Sequence, residues 1–268
     1  MKTKHVVAPG LLALTLTFGA NQSISASLPP PDPGPFQPGE ILVNELFGSS
    51  VQRYSATGTL LQTFTGTGTV WDGASLTPDG NLVTSYRSPG QGLNIFNPAG
   101  TQITTFAATG NSFPQDVSVF SNGTLALCDY LSSTVQFWSQ AGVQGSTVTL
   151  PEGTNPSGST VGSDGILYVG GFGNKTLVPV SADGVSLGAV SLTFVPGDLV
   201  MNPVDGTLWV SGASNGMVEH ITTTGTLLGF FPTGLTGTFA GIGLAPDDNS
   251  LYVTSTTSAV VKQFGIAH

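Results

Sequence analysis

The chain has 268 residues, 39% of them hydrophobic and only 8% charged, with 37 Gly, 18 Pro and a formal net charge of −9. Charged residues make up about 25% of an ordinary soluble domain, so polarity here comes mainly from Ser, Thr, Asn and Gln. Six Lys and Arg in the whole chain exclude a groove that tracks nucleic-acid phosphates, which needs clustered cations, and argue equally against an anionic membrane surface.

Residues 1–26 read as a secretory signal. Lys2 and Lys4 open it, Val6 to Phe18 is mostly apolar but short for a membrane span, and Ser23, Ser25, Ala26 and Ser27 offer cleavage between 25 and 28. Export is therefore expected, to the periplasm or beyond the cell. Residues 27–38 lie in "SLPPPDPGPFQPG" and read as an extended Pro-rich spacer. Cys128 is the single cysteine, so no intrachain disulfide can form. No later stretch is apolar enough to span a membrane.

From Gly39 to the end one phrase recurs. A turn precedes each short apolar strand: Pro38-Gly39 before "ILVNELF", Asp79-Gly80 before "NLVTSYR", Asn122-Gly123 before "TLALCDY", Asp164-Gly165 before "ILYVGGF", Asp205-Gly206 before "TLWVSGA", and Asp247-Asp248-Asn249 before "SLYVTST". A second strand follows each, and a second glycine, Gly58, Gly100, Gly142, Gly184 or Gly225, closes the first five pairs. Both glycine series keep a period of about 42 residues. Asp-Gly and Asn-Gly favour the positive φ of hairpin turns, and alternation between them turns one face of each strand inward.

An outer strand such as "LLQTF" (60–64) and an inner one such as "DVSVFS" (116–121) bring each unit to four strands. That is the sequence period of a β-propeller blade. One such unit cannot bury both of its faces, so the units must stack around an axis. The fold is therefore expected to be all-β, a propeller of four-stranded antiparallel blades over residues 39–268. Six blades are expected, with five as the alternative. The first unit lacks a clear inner strand, and the last stops after its third.

The stretches "VNELFGSSV", "LCDYLSSTV" and "VSGASNGMV" resemble NHL-type and related six-bladed propellers, a group that includes TolB-like folds. In that family an acidic residue commonly stands third in the stretch. Here Glu45 and Asp129 fill the place, whereas Gly171, Gly212 and Ser255 do not. The chain is also distantly similar to the gluconolactonase (senescence-marker) propellers. That resemblance implies a metal-dependent hydrolase with acidic and amide ligands at the channel mouth.

Equivalent positions in each blade form circles around the axis. At the entrance to the inner strands the repeat places Asp72, Asp116, Gly158, Asp198 and Gly241. Asp72, Asp116 and Asp198 could together hold Ca²⁺ or another divalent cation, which prefers oxygen ligands, or a cationic ligand. Each could instead cap backbone amides of its own loop. Trp71, Phe113 and Phe239 lie just before inner strands, where aromatic rings beside carboxylates would suit a sugar or a cation. His220, beside Glu219, reads as a satisfied histidine and Cys128 as a small buried hydrophobe.

No GxSxG or HExxH motif occurs, and "GGFGNKT" (170–176) opens no helix, so it is not read as a phosphate loop. The leading expectation is a monomeric, exported, non-catalytic propeller that binds a ligand or macromolecular partner through its channel rim. The alternative is a metal-dependent hydrolase or lactonase using Asp72, Asp116 and Asp198.

Overall fold

A computed structural model describes residues 34–44, 50–69, 73–88, 90–108, 110, 113–235, 241–245, 249–255 and 260–266, and the backbone of 12–13. Apart from the backbone of 12–13, the expected signal and most of the spacer, together with Trp71, Asp72 and Phe239, lie outside these residues. Six sheets follow one another along the chain. Blade 1 holds β1 (Leu12–Ala13), β2 (Ile41–Asn44), β3 (Ser50–Tyr54) and β4 (Leu60–Thr65). Blade 2 holds β5 (Ala74–Leu76), β6 (Leu82–Tyr86), β7 (Gly92–Phe96) and β8 (Gln102–Ala107). Blade 3 holds β9 (Pro114–Val119), β10 (Leu125–Asp129), β11 (Thr134–Trp138) and β12 (Gln144–Thr149).

Blade 4 holds β13 (Pro156–Val161), β14 (Leu167–Gly171), β15 (Thr176–Val180) and β16 (Val190–Ser191). Blade 5 holds β17 (Pro196–Met201), β18 (Leu208–Gly212), β19 (Met217–Ile221) and β20 (Leu227–Pro232). Blade 6 holds β21 (Ile242–Leu244), β22 (Ser250–Ser255) and β23 (Val260–Gly265). Neighbouring strands are antiparallel except β1 and β2, which pair in parallel. The described residues contain no helix that is long and apolar enough to cross a membrane.

The ring is visible in which strands touch. β5 contacts β9, β9 contacts β13, β13 contacts β17, β17 contacts β21, and β21 contacts β1. This settles the count at six blades. It also shows what the period-2 alternation is for. On β10, Leu125 and Leu127 enter the core shared with blade 2, while Ala126 and Cys128 enter the core shared with blade 4. On β14, Leu167 and Val169 face blade 3, while Tyr168 faces blade 5. β6, β18, β22 and β2 split in the same way. Both faces of these second strands are therefore interior, which is why each carries consecutive apolar residues, such as Leu82-Val83, Leu125–Cys128 and Leu208–Val210, where a half-buried strand would alternate.

Among the described residues, the interface between blades 6 and 1 has Ile41 and Val43 as its buried members, with Tyr54, Tyr252 and Val261 packed partly against them. On the other flank of blade 1, Arg53 is buried and pairs with Glu40 at 2.7 Å. It also donates to the carbonyls of Gly34 and Pro35 and lies over the Phe36 ring. Phe36 in turn stacks on Phe64. Residues 34–37, expected to belong to a spacer, are thus fastened onto blade 1.

The ten turn glycines all adopt φ between +71° and +87°. Their turns are wider than a two-residue hairpin. In the turn before β6, Gly80 N donates to Thr77 O and Thr77 N to Asn81 O, so the glycine follows a type I turn as a bulge. Asp or Asn before it caps the next strand, as in Ile166 N to Asp164 Oδ1 at 3.0 Å and Thr124 N to Asn122 Oδ1 at 2.9 Å. At Gly165 φ is +75° and nothing lies within 4 Å of an added Cβ. Gly165→Val therefore tests backbone strain alone. It should lower unfolding free energy in urea by about 1–3 kcal/mol, and an unchanged transition would contradict the turn geometry.

Candidate functional site

The inner strands begin earlier than the repeat implied, at Pro114, Pro156 and Pro196. Proline suits the first residue of a strand, where no ladder donor is required. Each of these strands slips register against its neighbour just inside the proline. Such a bulge re-aims the residues around it. Asp116 and Asp198 consequently lie within strands and are buried, not at strand entrances.

Their partners explain the burial. Asp116 Oδ2 accepts from Ser159 Oγ of blade 4 at 2.6 Å, and Ser159 also meets Ser118 Oγ at 2.9 Å. Asp198 Oδ1 accepts from Leu199 N at 2.8 Å. Asp198 N donates to Ser211 Oγ at 2.9 Å. The two carboxylates therefore flank residues 158–159 on the inner strand of blade 4.

The register corrects the expected circle of carboxylates. Asp116 pairs with Cys128, the fourth residue of β10. The fourth residue of β6 is Ser85, and it exchanges hydrogen bonds with Gly73, through Gly73 N to Ser85 Oγ at 2.9 Å and Ser85 N to Gly73 O at 2.9 Å. Thr254 holds Gly241 in the same way. The equivalent of Asp116 and Asp198 in blade 2 is thus Gly73, one residue beyond Asp72. Repeat alignment missed this because the bulges add residues to some inner strands and not to others.

Around the axis the circle reads Gly73, Asp116, Gly158, Asp198, Gly241. Sterics account for the alternation. A Cβ on Gly73 would stand 2.7 Å from Asp116 Cα, and one on Gly158 would stand 2.7 Å from Asp198 Cα. Among the described residues no three His, Cys, Asp or Glu side chains stand together in a way that could hold a metal ion.

Above the carboxylates, at the same end of the inner strands, lies an arc of half-buried rings. Arg87 sits over Phe113 at 3.7 Å. Phe113 meets Tyr130 with centroids 5.5 Å apart, and Tyr130 meets Phe172 at 6.1 Å. The arc crosses blades 2, 3 and 4. Its footing is polar. Asp129 accepts from Phe113 N at 2.6 Å and from Ser132 N at 2.7 Å, which fixes the loops on both sides of Tyr130. Asn155 Nδ2 donates to Tyr130 O at 2.9 Å. Burial raises the pKa of the Tyr130 hydroxyl, so it stays protonated across the physiological range. Of these rings the sequence singled out only Phe113. Tyr130 and Phe172 each follow the last residue of a blade's second strand, and that shared offset was the available signal.

The other titratable candidates have structural roles. His220 stacks on Trp209 at 4.0 Å, and its Nε2 lies 2.5 Å from Thr207 Oγ1. Cys128 is buried in the core between blades 3 and 4. Glu219 is buried, and Asn215 donates to its Oε1 at 2.9 Å. In blades 1, 2 and 3 the same register position holds an amide, Gln52, Asn94 or Gln136.

No protein-family model and no curated protein matches the chain. Solved structures do. A streptogramin B lyase structure shares 16% identity and a TM-score of 0.69, over 91% of this chain and 86% of that one. A catalytically inactive virginiamycin B lyase from Staphylococcus aureus, solved with quinupristin, shares 12% identity and a TM-score of 0.67, over 82% and 74%. A gluconolactonase from Xanthomonas campestris shares 17% and 0.65, over 83% and 80%. These likenesses establish the propeller fold and agree with the expected similarity to lactonase-type propellers.

Two measurements follow. Gly158→Ala places a methyl against the backbone of Asp198, which cannot swing aside, and should cost about 1–3 kcal/mol by overpacking. An unaltered urea transition would mean that the inner strands stand further apart. Burial raises the pKa of Glu219, with the Asn215 hydrogen bond opposing. The folded state then holds this proton more tightly than the unfolded chain, so its contribution to stability is present at low pH and lost as pH rises through the raised pKa. Glu219→Gln should therefore melt above the wild type at pH 8, with the gap narrowing towards pH 4. A gap that does not change with pH would contradict the assignment.

Proposed function

We propose that the chain is an exported, non-catalytic β-propeller that binds a ligand or macromolecular partner through the rim of its channel. The observation that carries this reading is the arc from Arg87 through Phe113 and Tyr130 to Phe172, half-exposed across three blades. Neither the interblade cores nor the turns require these rings. Side by side they offer a stacking face, and Arg87 adds a cation at one end. Beneath them Asp116 and Asp198 are held by a serine hydroxyl and a backbone amide, an arrangement suited to shaping a site rather than to exchanging protons. Lys2, Lys4, the apolar run after them and the small residues at 23–27 support export.

The test pairs binding with turnover. Amide shifts of the labelled protein are followed by NMR during titration with neutral oligosaccharides and with glucono-δ-lactone. Lactone hydrolysis is assayed alongside with Ca²⁺, Mg²⁺ and Zn²⁺. The proposal expects saturable shifts around residues 113, 130 and 172, lost in Tyr130→Ala/Phe172→Ala, and no hydrolysis. Cation-dependent hydrolysis that disappears in Asp116→Ala would replace it with the metal-dependent lactonase reading. Titrations that leave the rim unshifted would overturn rim binding.

A further inference from the structure

The chain holds two Asn-Gly pairs, Asn122-Gly123 and Asn215-Gly216, and both asparagines are exposed. Such pairs are open to attack of the glycine nitrogen on the asparagine side-chain carbon, because glycine carries no Cβ to block the approach. In each pair the asparagine Oδ1 accepts from the amide two residues on, Thr124 N or Met217 N, at 2.9 Å. The glycines differ. Gly123 N donates to Phe120 O at 2.9 Å inside its turn. Among the described residues, Gly216 N donates no hydrogen bond.

The loop accounts for that difference. Blades 3, 4 and 5 join their second and third strands through four residues, 130–133, 172–175 and 213–216. The last of the four adopts positive φ in all three, 51° at Ser133, 56° at Lys175 and 65° at Gly216. Its N–H donates no hydrogen bond in any of them among the described residues. Blades 3 and 4 end this loop with Ser132-Ser133 and Asn174-Lys175, and blade 5 ends it with Asn215-Gly216. The side-chain nitrogen is held as well. Asn215 Nδ2 donates to Oε1 of the buried Glu219 at 2.9 Å. Burial favours the protonated form of that carboxyl, which sets a proton beside the nitrogen.

We propose that Asn215-Gly216 is a modification site at which the folded protein deamidates itself, with Glu219 assisting. Gly216 N bonds to Asn215 Cγ as its own proton passes to solvent. The Met217 N–H faces the oxygen on which charge then develops. The bond from Cγ to Nδ2 breaks, and the nitrogen takes a proton from Glu219 and leaves as ammonia. Solvent restores the Glu219 proton. Water opens the cyclic imide and leaves a carboxylate at 215, as aspartate or isoaspartate. The product takes away the donor that Glu219 had, and a buried polar group that loses its partner is destabilising. It also adds a negative charge to the loop that, in blades 3 and 4, begins with Tyr130 and Phe172 of the aromatic arc.

The test is peptide mapping by mass spectrometry of the full chain, incubated at neutral pH either folded or in urea. In the folded protein the peptide holding Asn215 should gain the mass of an amide-to-acid exchange, while the peptide holding Asn122 stays unchanged. In urea both peptides should convert, which shows that the fold and not the sequence separates them. Glu219→Gln should slow conversion at 215 several-fold in the folded protein and leave the rate in urea unaltered. Conversion of Asn122 as fast as Asn215 in the folded protein, or no conversion at 215 there, overturns the proposal. Conversion at 215 that is equally fast in Glu219→Gln overturns the part assigned to Glu219.

Discussion

The structure depends on one constraint: a blade of this sequence has two apolar faces and cannot stand alone. The second strand of each blade makes this concrete. Leu125 and Leu127 point one way and Ala126 and Cys128 the other, and both sets are buried, in different cores. Burial of a leucine-sized side chain contributes roughly 1.5–3 kcal/mol, so a blade that lost one neighbour would expose several such residues together. Each blade therefore needs the next, and the series is complete only when the ring returns to its start. The scarcity of charge has the same origin, since the faces that water would solvate in an ordinary sheet are interior here.

Among the described residues, closure is where this scheme has the fewest buried members: the seam between blades 6 and 1 sets Ile41 and Val43 against three partly buried neighbours. The inner place of blade 1 is taken by Leu12–Ala13 in parallel pairing, while its counterparts in blades 2–6 are antiparallel. On the opposite flank blade 1 is reinforced. Arg53 and Glu40 form a buried pair that also gathers the carbonyls of Gly34 and Pro35. Removing either partner would strand the other charge in the interior, a loss of about 3–5 kcal/mol. Among the described residues, blade 1 is thus joined to blade 2 by more buried contacts than to blade 6.

The repeat was legible because its markers are local. A glycine with positive φ after Asp or Asn, followed by an apolar strand, announces itself at four of the six passes, so strand order could be read directly and six blades expected, with five left open until the contacts around the ring decide it. What failed was register at the inner strands. The slips beside Pro114, Pro156 and Pro196 do not follow from propensity, and a one-residue difference put Asp72 where Gly73 belongs. The aromatic arc was only partly legible, since Phe113, Tyr130 and Phe172 lie in different loops and meet only through the ring. Arg53 was equally hidden: a lone arginine in a strand gives no sign that a proline-rich segment folds over it.

Hydrogen exchange tests the account most directly, because it reads local opening around the whole ring in one experiment. If alternate-face packing holds the blades and the seam between blades 6 and 1 is its weakest join, amides of β2, β22 and β23 exchange faster than those of β6, β10, β14 and β18. Uniform protection around the ring, or a minimum between two other blades, would contradict it.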